Sequence, residues 1–180
     1  MNIAANPHIS ADQTVYLKDY QQPSFLVDSI NLDIQVHDDH THVFSTLVMK
    51  RNAAGDLVLL GRDVELVSIK LNGEPLNSED YTLDDEQLVI TNAPDQLTLE
   101  TQVVIHPESN TQLEGLYKAG DLFVTQNEPE GFRKITFYPD RPDVLSVFTT
   151  RVEADKKYPV LLANGNLLET GTVGEDRHFA

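Results

Sequence analysis

From Ile30 to His37 apolar and polar side chains alternate strictly, with Ile30, Leu32, Ile34 and Val36 set against Asn31, Asp33, Gln35 and His37. A period of two marks a strand with one buried face. The polar run Asp38-Asp39-His40-Thr41 interrupts it, and His42 to Arg51, carrying Val43, Phe44, Leu47, Val48 and Met49, suits an antiparallel return strand. The two form a predicted hairpin. Asn52-Ala53-Ala54-Gly55-Asp56 is the next turn signal, and Leu57 to Leu60 is a short apolar run suited to burial on both faces. Val64 to Leu71 alternates again, and Asn72-Gly73 then supplies the positive φ of a tight turn. Tyr81 to Leu83, Gln87 to Thr91 and Leu97 to Ile105 follow at similar spacing, separated by Asp84-Asp85-Glu86 and Asn92-Ala93-Pro94-Asp95. The count predicts an all-β, mainly antiparallel sandwich.

Beyond Pro107 the texture changes, because glycines and turn residues crowd the chain as far as Asp143. Phe123 to Gln126 reads as a strand, Gly131-Phe132-Arg133 as a bend, and Lys134 to Tyr138 as a short strand ending at Pro139. Pro142, preceded by Asp140, suits the opening of one helical turn. Ser146 to Ala154 and Tyr158 to Leu162 read as strands, and Ala163-Asn164-Gly165-Asn166 as a hairpin turn into Leu167 to Thr172. Gly174-Glu175-Asp176 predicts a further hairpin turn, with Arg177 to Ala180 opening a return strand that has no chain left. The sequence therefore reads as an extended lead-in over 1–20 and one β domain over 21–180, the amino-terminal portion of a longer protein.

The charge balance narrows the function. Among 180 residues, 13 Lys and Arg stand against 29 Asp and Glu, a net charge of -16. That excess of anions disfavours nucleic acid and anionic membrane as partners, since both are bound by releasing counterions from phosphates with Lys and Arg. With no cysteine, there is no disulfide, iron–sulfur cluster or thiol nucleophile. No apolar run approaches the roughly 20 residues that span a bilayer, and Met1 to Ala11 lacks the pattern of a secretion signal. A cytoplasmic location is expected.

Three segments carry candidate chemistry. His37, Asp38, Asp39, His40 and His42 offer the donor types of a zinc or copper site. They fall at a predicted hairpin tip, where alternation sends neighbouring side chains to opposite faces, so a solvated polar turn is the better reading and no metal is assigned. The acidic residues from Glu79-Asp80 to Asp84-Asp85-Glu86 lack the ligand spacing of a calcium loop and read as solvated strand ends. The third segment, Thr125 to Arg133, is a polar, carboxylate-bearing stretch between two apolar runs. Gln126 and Glu128 point to one side if the backbone there is extended, and together could accept hydrogen bonds from an ammonium group. The alternative, that both bond neighbouring backbone, stays open. Arg133, Asp140, Arg141 and Asp143 read first as ion-pair and capping residues. Serine-nucleophile, phosphate-loop and H-E-x-x-H motifs are absent, so the chain itself carries no catalytic residue.

The order of blocks from Asp19-Tyr20 resembles one family. Asn110-Thr111-Gln112-Leu113-Glu114-Gly115-Leu116-Tyr117, then Gln126 to Thr136, then Tyr138-Pro139-Asp140-Arg141-Pro142-Asp143-Val144, then Tyr158 to Asn166, together resemble the zinc aminopeptidase N family, within it the bacterial alanyl-type enzymes. The resemblance implies the amino-terminal β domain of such an enzyme, a saddle of fused β-sandwich sheets above a thermolysin-like catalytic domain. It implies that Gln126 and Glu128 reach the active site, shape the pocket for the first residue and, for Glu128, help hold the free α-ammonium of a peptide substrate. It places zinc, the Gly-x-Met-Glu-Asn loop, the H-E-x-x-H helix and the transition-state Tyr in the following catalytic domain, which would be this domain's partner, so the 180-residue chain alone is expected to be inactive. The alternative is a stand-alone acidic β-sandwich interaction module.

Overall fold

The computed structural model describes residues 16–180. Thirteen strands follow in order: β1 (Phe25–Val36), β2 (Thr41–Arg51), β3 (Leu57–Leu60), β4 (Glu65–Leu71), β5 (Glu74–Pro75), β6 (Thr82–Leu83), β7 (Gln87–Ile90), β8 (Gln96–Ile105), β9 (Gly115–Ala119), β10 (Leu122–Gln126), β11 (Val147–Asp155), β12 (Gly171–Val173) and β13 (Arg177–Phe179). Among the described residues the only helical pieces are 3-10 turns at Leu17–Asp19 and Phe132–Lys134. Most of the expected lead-in lies outside the described residues, and its last residues turn rather than extend.

An eight-stranded sheet runs β12-β13-β11-β1-β2-β8-β4-β5, beside a three-stranded sheet β3-β7-β6 and the hairpin β9-β10. The fold is all-β and mostly antiparallel, with one parallel pair, β1 with β11, registered from Ser29↔Val147 to Gln35↔Glu153. The inner face of the large sheet carries Ile30, Leu32, Val43, Leu47, Leu99 and Val103, and these join Leu57, Leu59, Leu88 and Ile90 of the smaller sheet in one core. Burying each such side chain stabilises the fold by about 1.5–3 kcal/mol.

Two bulges set the register of the inner face. In β1 the pairing shifts between Val27 and Ser29, so buried Phe25 and Val27 share a face with Ile30 rather than with residue 29. In β4 it shifts between Leu66 and Ser68, which leaves Val67 exposed and puts Leu66, Ile69 and Leu71 opposite inward Val103, Thr101 and Leu99.

Four expected elements differ. Lys134 to Tyr138 is not a strand: every residue from Arg133 to Asp140 is buried, and only Tyr138 pairs, exchanging backbone hydrogen bonds of 2.8 and 3.1 Å with Leu60. Pro142 opens no helix, since Arg141 to Val144 closes a single turn through a 3.1 Å bond. Tyr158 to Leu162 finds no neighbouring strand among the described residues, and of Leu167 to Thr172 only Gly171 and Thr172 pair, as part of β12; the rest stays irregular, with Leu162 85% and Leu168 86% exposed. A strand needs a partner for its backbone, which an apolar run does not supply. Gly115 to Ala119, unassigned from the sequence, is β9.

Candidate functional site: an anchored acidic loop

The β9–β10 hairpin ends with Gln126 opposite Gly115, and the chain then runs through Asn127-Glu128-Pro129-Glu130 into the 3-10 turn at Phe132. A buried carboxylate fixes the far end of this loop. Asp140 Oδ2 accepts from the Gly131 N–H at 3.0 Å, the Arg133 N–H at 3.2 Å and Arg133 Nε at 2.8 Å, while Arg133 Nη2 donates to the Asp140 carbonyl at 3.1 Å. Glu130 adds an outer contact, 2.8 Å from Arg133 Nη2. Arg133 and Asp140 thus pair and cap as their residue types suggest, and so do Arg141 and Asp143 at 2.7 Å. Arg141, foremost, holds the Asp143 carboxyl below the usual carboxylate range.

Glycine lets the loop close on the hairpin. At Gly131, with φ 140°, an added Cβ would lie 2.8 Å from the Gln126 carbonyl oxygen and 3.2 Å from Asn127 Cα. Gly131→Ala is expected to push this end of β10 outward and to destabilise the chain by about 1–3 kcal/mol, read by urea unfolding. A change below about 0.5 kcal/mol would show that the loop accommodates a side chain.

Gln126 and Glu128 stand on this loop, both exposed. The backbone is not extended through them: Gln126 ends β10, a bend begins at Glu128, and the Glu128–Pro129 peptide is cis. Their proximity comes from the bend, through which Gln126 Nε2 donates to the Glu128 carbonyl at 3.1 Å. Local bonding therefore accounts for the Gln126 amide nitrogen and leaves its Oε1 as an acceptor. The Glu128 carboxylate has no hydrogen bond or ion pair among the described residues, whereas Glu130 beside it shares Arg133 with Asp140. One unneutralised carboxylate and one amide oxygen on a loop pinned by a buried ion pair suit capture of a small cation with N–H donors.

The other candidates resolve differently. His37, His40 and His42 do meet, with ring centroids 4.7 Å apart for His37–His40, 4.9 Å for His40–His42 and 5.9 Å for His37–His42. His37 and His42 lie across the hairpin, so the turn gathers what alternation along one strand separates. Among the described residues no group of three or more His, Asp or Glu could hold a metal ion. In the acidic stretch, Asp84 Oδ1 accepts from the Glu86 and Gln87 N–H groups, and both Glu86 carboxylate oxygens accept from Arg62. A separate cavity of about 1000 Å³ is lined by Arg62, Asp63, Glu65, His106, Asn110 and Lys134 among others, away from Gln126 and Glu128. Nothing in the residue pattern pointed to that hollow, because its walls come from distant segments.

A wide mixed sheet, a small companion sheet and an acidic loop anchored by a buried ion pair define an all-β domain that presents, on that loop, one carboxylate unpaired among the described residues. The chain belongs to the Peptidase M1 N-terminal domain family, whose model matches residues 19–180. It is 45% identical over 170 residues to aminopeptidase N of Caulobacter vibrioides, covering 93% of this chain and 20% of that protein. Aminopeptidase N of Escherichia coli is 43% identical over 170 residues, with 93% and 19% covered. The crystal structure of Legionella pneumophila aminopeptidase A in complex with aspartic acid superposes with a TM-score of 0.85 at 30% identity, covering 91% of this chain and 20% of that one. An M1 zinc metallopeptidase from Deinococcus radiodurans shares the fold, with a TM-score of 0.73, 18% identity and 88% and 39% covered. The chain spans about one fifth of the length of the aminopeptidase N relatives.

Proposed function

We propose that this chain is the substrate-recognition domain of a cytoplasmic zinc aminopeptidase, with Gln126 and Glu128 receiving the free α-ammonium of a peptide. Family membership and the relatives named aminopeptidase N support the enzyme class. The observation that carries the recognition role is the exposed Glu128 carboxylate, left without a cationic partner on a loop that buried Arg133 and Asp140 hold in place. An ammonium is bound here by charge and by hydrogen bonds to two acceptors, and a blocked or internal amide would leave the carboxylate unpaired. Zinc would belong to the catalytic domain that follows, where it would supply the hydrolytic chemistry. No described group of this chain can hold it, and the chain's own part is binding. The exposure of Val160, Leu162, Leu167 and Leu168 speaks against the stand-alone module, which would leave them uncovered.

In the full-length enzyme, Glu128→Gln should lower kcat/KM for free-amine substrates by about 10- to 100-fold, with zinc content unchanged. Unaltered kinetics with full zinc occupancy would remove Glu128 from the role.

A further inference from the structure

The histidines at the β1–β2 turn lie against the last strand. The His37 N–H donates to the His40 carbonyl at 2.9 Å and closes the turn. His37 and His40 stack with 14° between ring planes, and the His42 ring stands edge-on to both. Arg177 of β13 reaches over β11 to this tip. Its Nη2 donates to the Val36 carbonyl at 3.1 Å, its Nε to Glu153 at 2.6 Å, and its Nη1 lies 3.4 Å from His37 Nδ1. A guanidinium only donates, so His37 Nδ1 is the acceptor of this contact and its ring proton sits on Nε2. We propose that the His37 cluster and Arg177 form an acid-released clasp, which ties the β12–β13 hairpin to the β1–β2 turn and lets go when His37 takes up a proton.

The chemistry of the contact sets the sign. Protonation turns Nδ1 from acceptor to donor and places a cation against Arg177 with two further imidazoles alongside. Burial, then Arg177, His40 and His42, push the His37 pKa below its ordinary value, opposed by Glu153. The unfolded chain therefore takes the proton first, and the clasp's contribution is complete above an unfolded pKa of about 6.5 and is lost as pH falls below it.

The other charged groups around the tip do not reproduce this. Glu153 on β11 is held ionised below the usual carboxylate range by Arg177 and Arg151 despite its burial. Asp39 bonds His40 Nδ1 at 2.7 Å, and Asp38 is taken by Lys157 and Tyr158. His106, near Glu65 and donating to the Asp39 carbonyl, has its pKa raised, so acid strengthens that contact. His178 on β13 shares a 2.8 Å bond with the Tyr158 carbonyl, which only accepts, so it is a donor in either charge state. Non-titrating bonds also hold the hairpin, among them Lys156 N–H to Asp176 O and the Val152–Ala180 pair. Acid should therefore loosen it rather than detach it.

Hydrogen exchange on the whole chain at about pH 7.5 and pH 5.5, corrected for intrinsic rates, tests this. Protection of amides in Gly171–Phe179 is expected to fall at least about fivefold at the lower pH relative to β2 and β8, and His37→Gln, an acceptor that does not titrate, should abolish the fall. Equal protection at both pH values, or a fall that persists in His37→Gln, would overturn the clasp. Imidazole nitrogen NMR of the unaltered chain needs no variant: His37 Nδ1 should be unprotonated at pH 7.5 with a midpoint below the ordinary histidine value, and a midpoint above it would equally overturn the proposal.

Discussion

Asp140→Ala should destabilise the chain by about 3–5 kcal/mol, because it strands a buried cation as well as removing hydrogen bonds. The Arg133 and Asp140 side chains are only 10% and 9% exposed, and one Asp140 oxygen serves three donors. Without it the Gly131 and Arg133 N–H groups lose their acceptor, and Arg133 keeps only half-exposed Glu130 as a charged partner beside its bond to the Asp140 backbone carbonyl. Urea unfolding would show a lower midpoint with little change in slope. Asp140→Asn should recover part of the loss, since an amide oxygen still accepts from the two backbone N–H groups. A loss below about 1 kcal/mol for the alanine variant would mean that water replaces the carboxylate and that the loop needs no anchor. The proposed recognition role predicts that the same variant, placed in the full-length protein, weakens free-amine recognition even where it folds, because the Glu128 loop loses its fixed end.

Phe137→Ala is expected to cost about 3–5 kcal/mol through the cavity it leaves. The ring is 1% exposed and sits beside Tyr138, the residue that bridges to Leu60 of β3. It packs where the buried segment from Arg133 to Asp140 meets the smaller sheet, so removing it weakens the tie between the two. Phe137→Leu should recover much of the loss, as volume counts for more than aromaticity at an apolar site. Thermal unfolding compares the pair, and an alanine variant within about 1 kcal/mol of the parent would show that the surrounding core collapses into the space.

Residue types were more legible than geometry at the loop. Gln126 and Glu128 stood out as candidates by residue type and by resemblance, and Arg133 and Asp140 as an ion pair by charge. That Asp140 rather than a neighbouring acid caps the turn was not, because its three donors come from a tight turn whose closure depends on two buried partners. The histidine cluster shows the same limit: His37 and His42 are separated along the chain by a turn and meet only across it.

Local pattern determined the elements that carry their own signal. The alternation at Ile30–Val36 and Leu97–Ile105, the Asn72-Gly73 turn and the Gly174-Glu175-Asp176 hairpin are short-range, since period and turn chemistry act within a few residues. Wherever distant chain sets the conformation, only the tertiary structure decided. The bulges after Val27 and Leu66 shift the apolar period by one, and only pairing with β2 and β8 makes that shift favourable. The parallel β1–β11 pair joins residues more than a hundred positions apart, and of the apolar runs at Tyr158–Leu162 and Leu167–Thr172 only Gly171 and Thr172 form strand, because among the described residues only they pair with a neighbour. Hydrophobic pattern states which side chains leave water. Which backbone they meet there is settled by hydrogen bonds that must all be made at once.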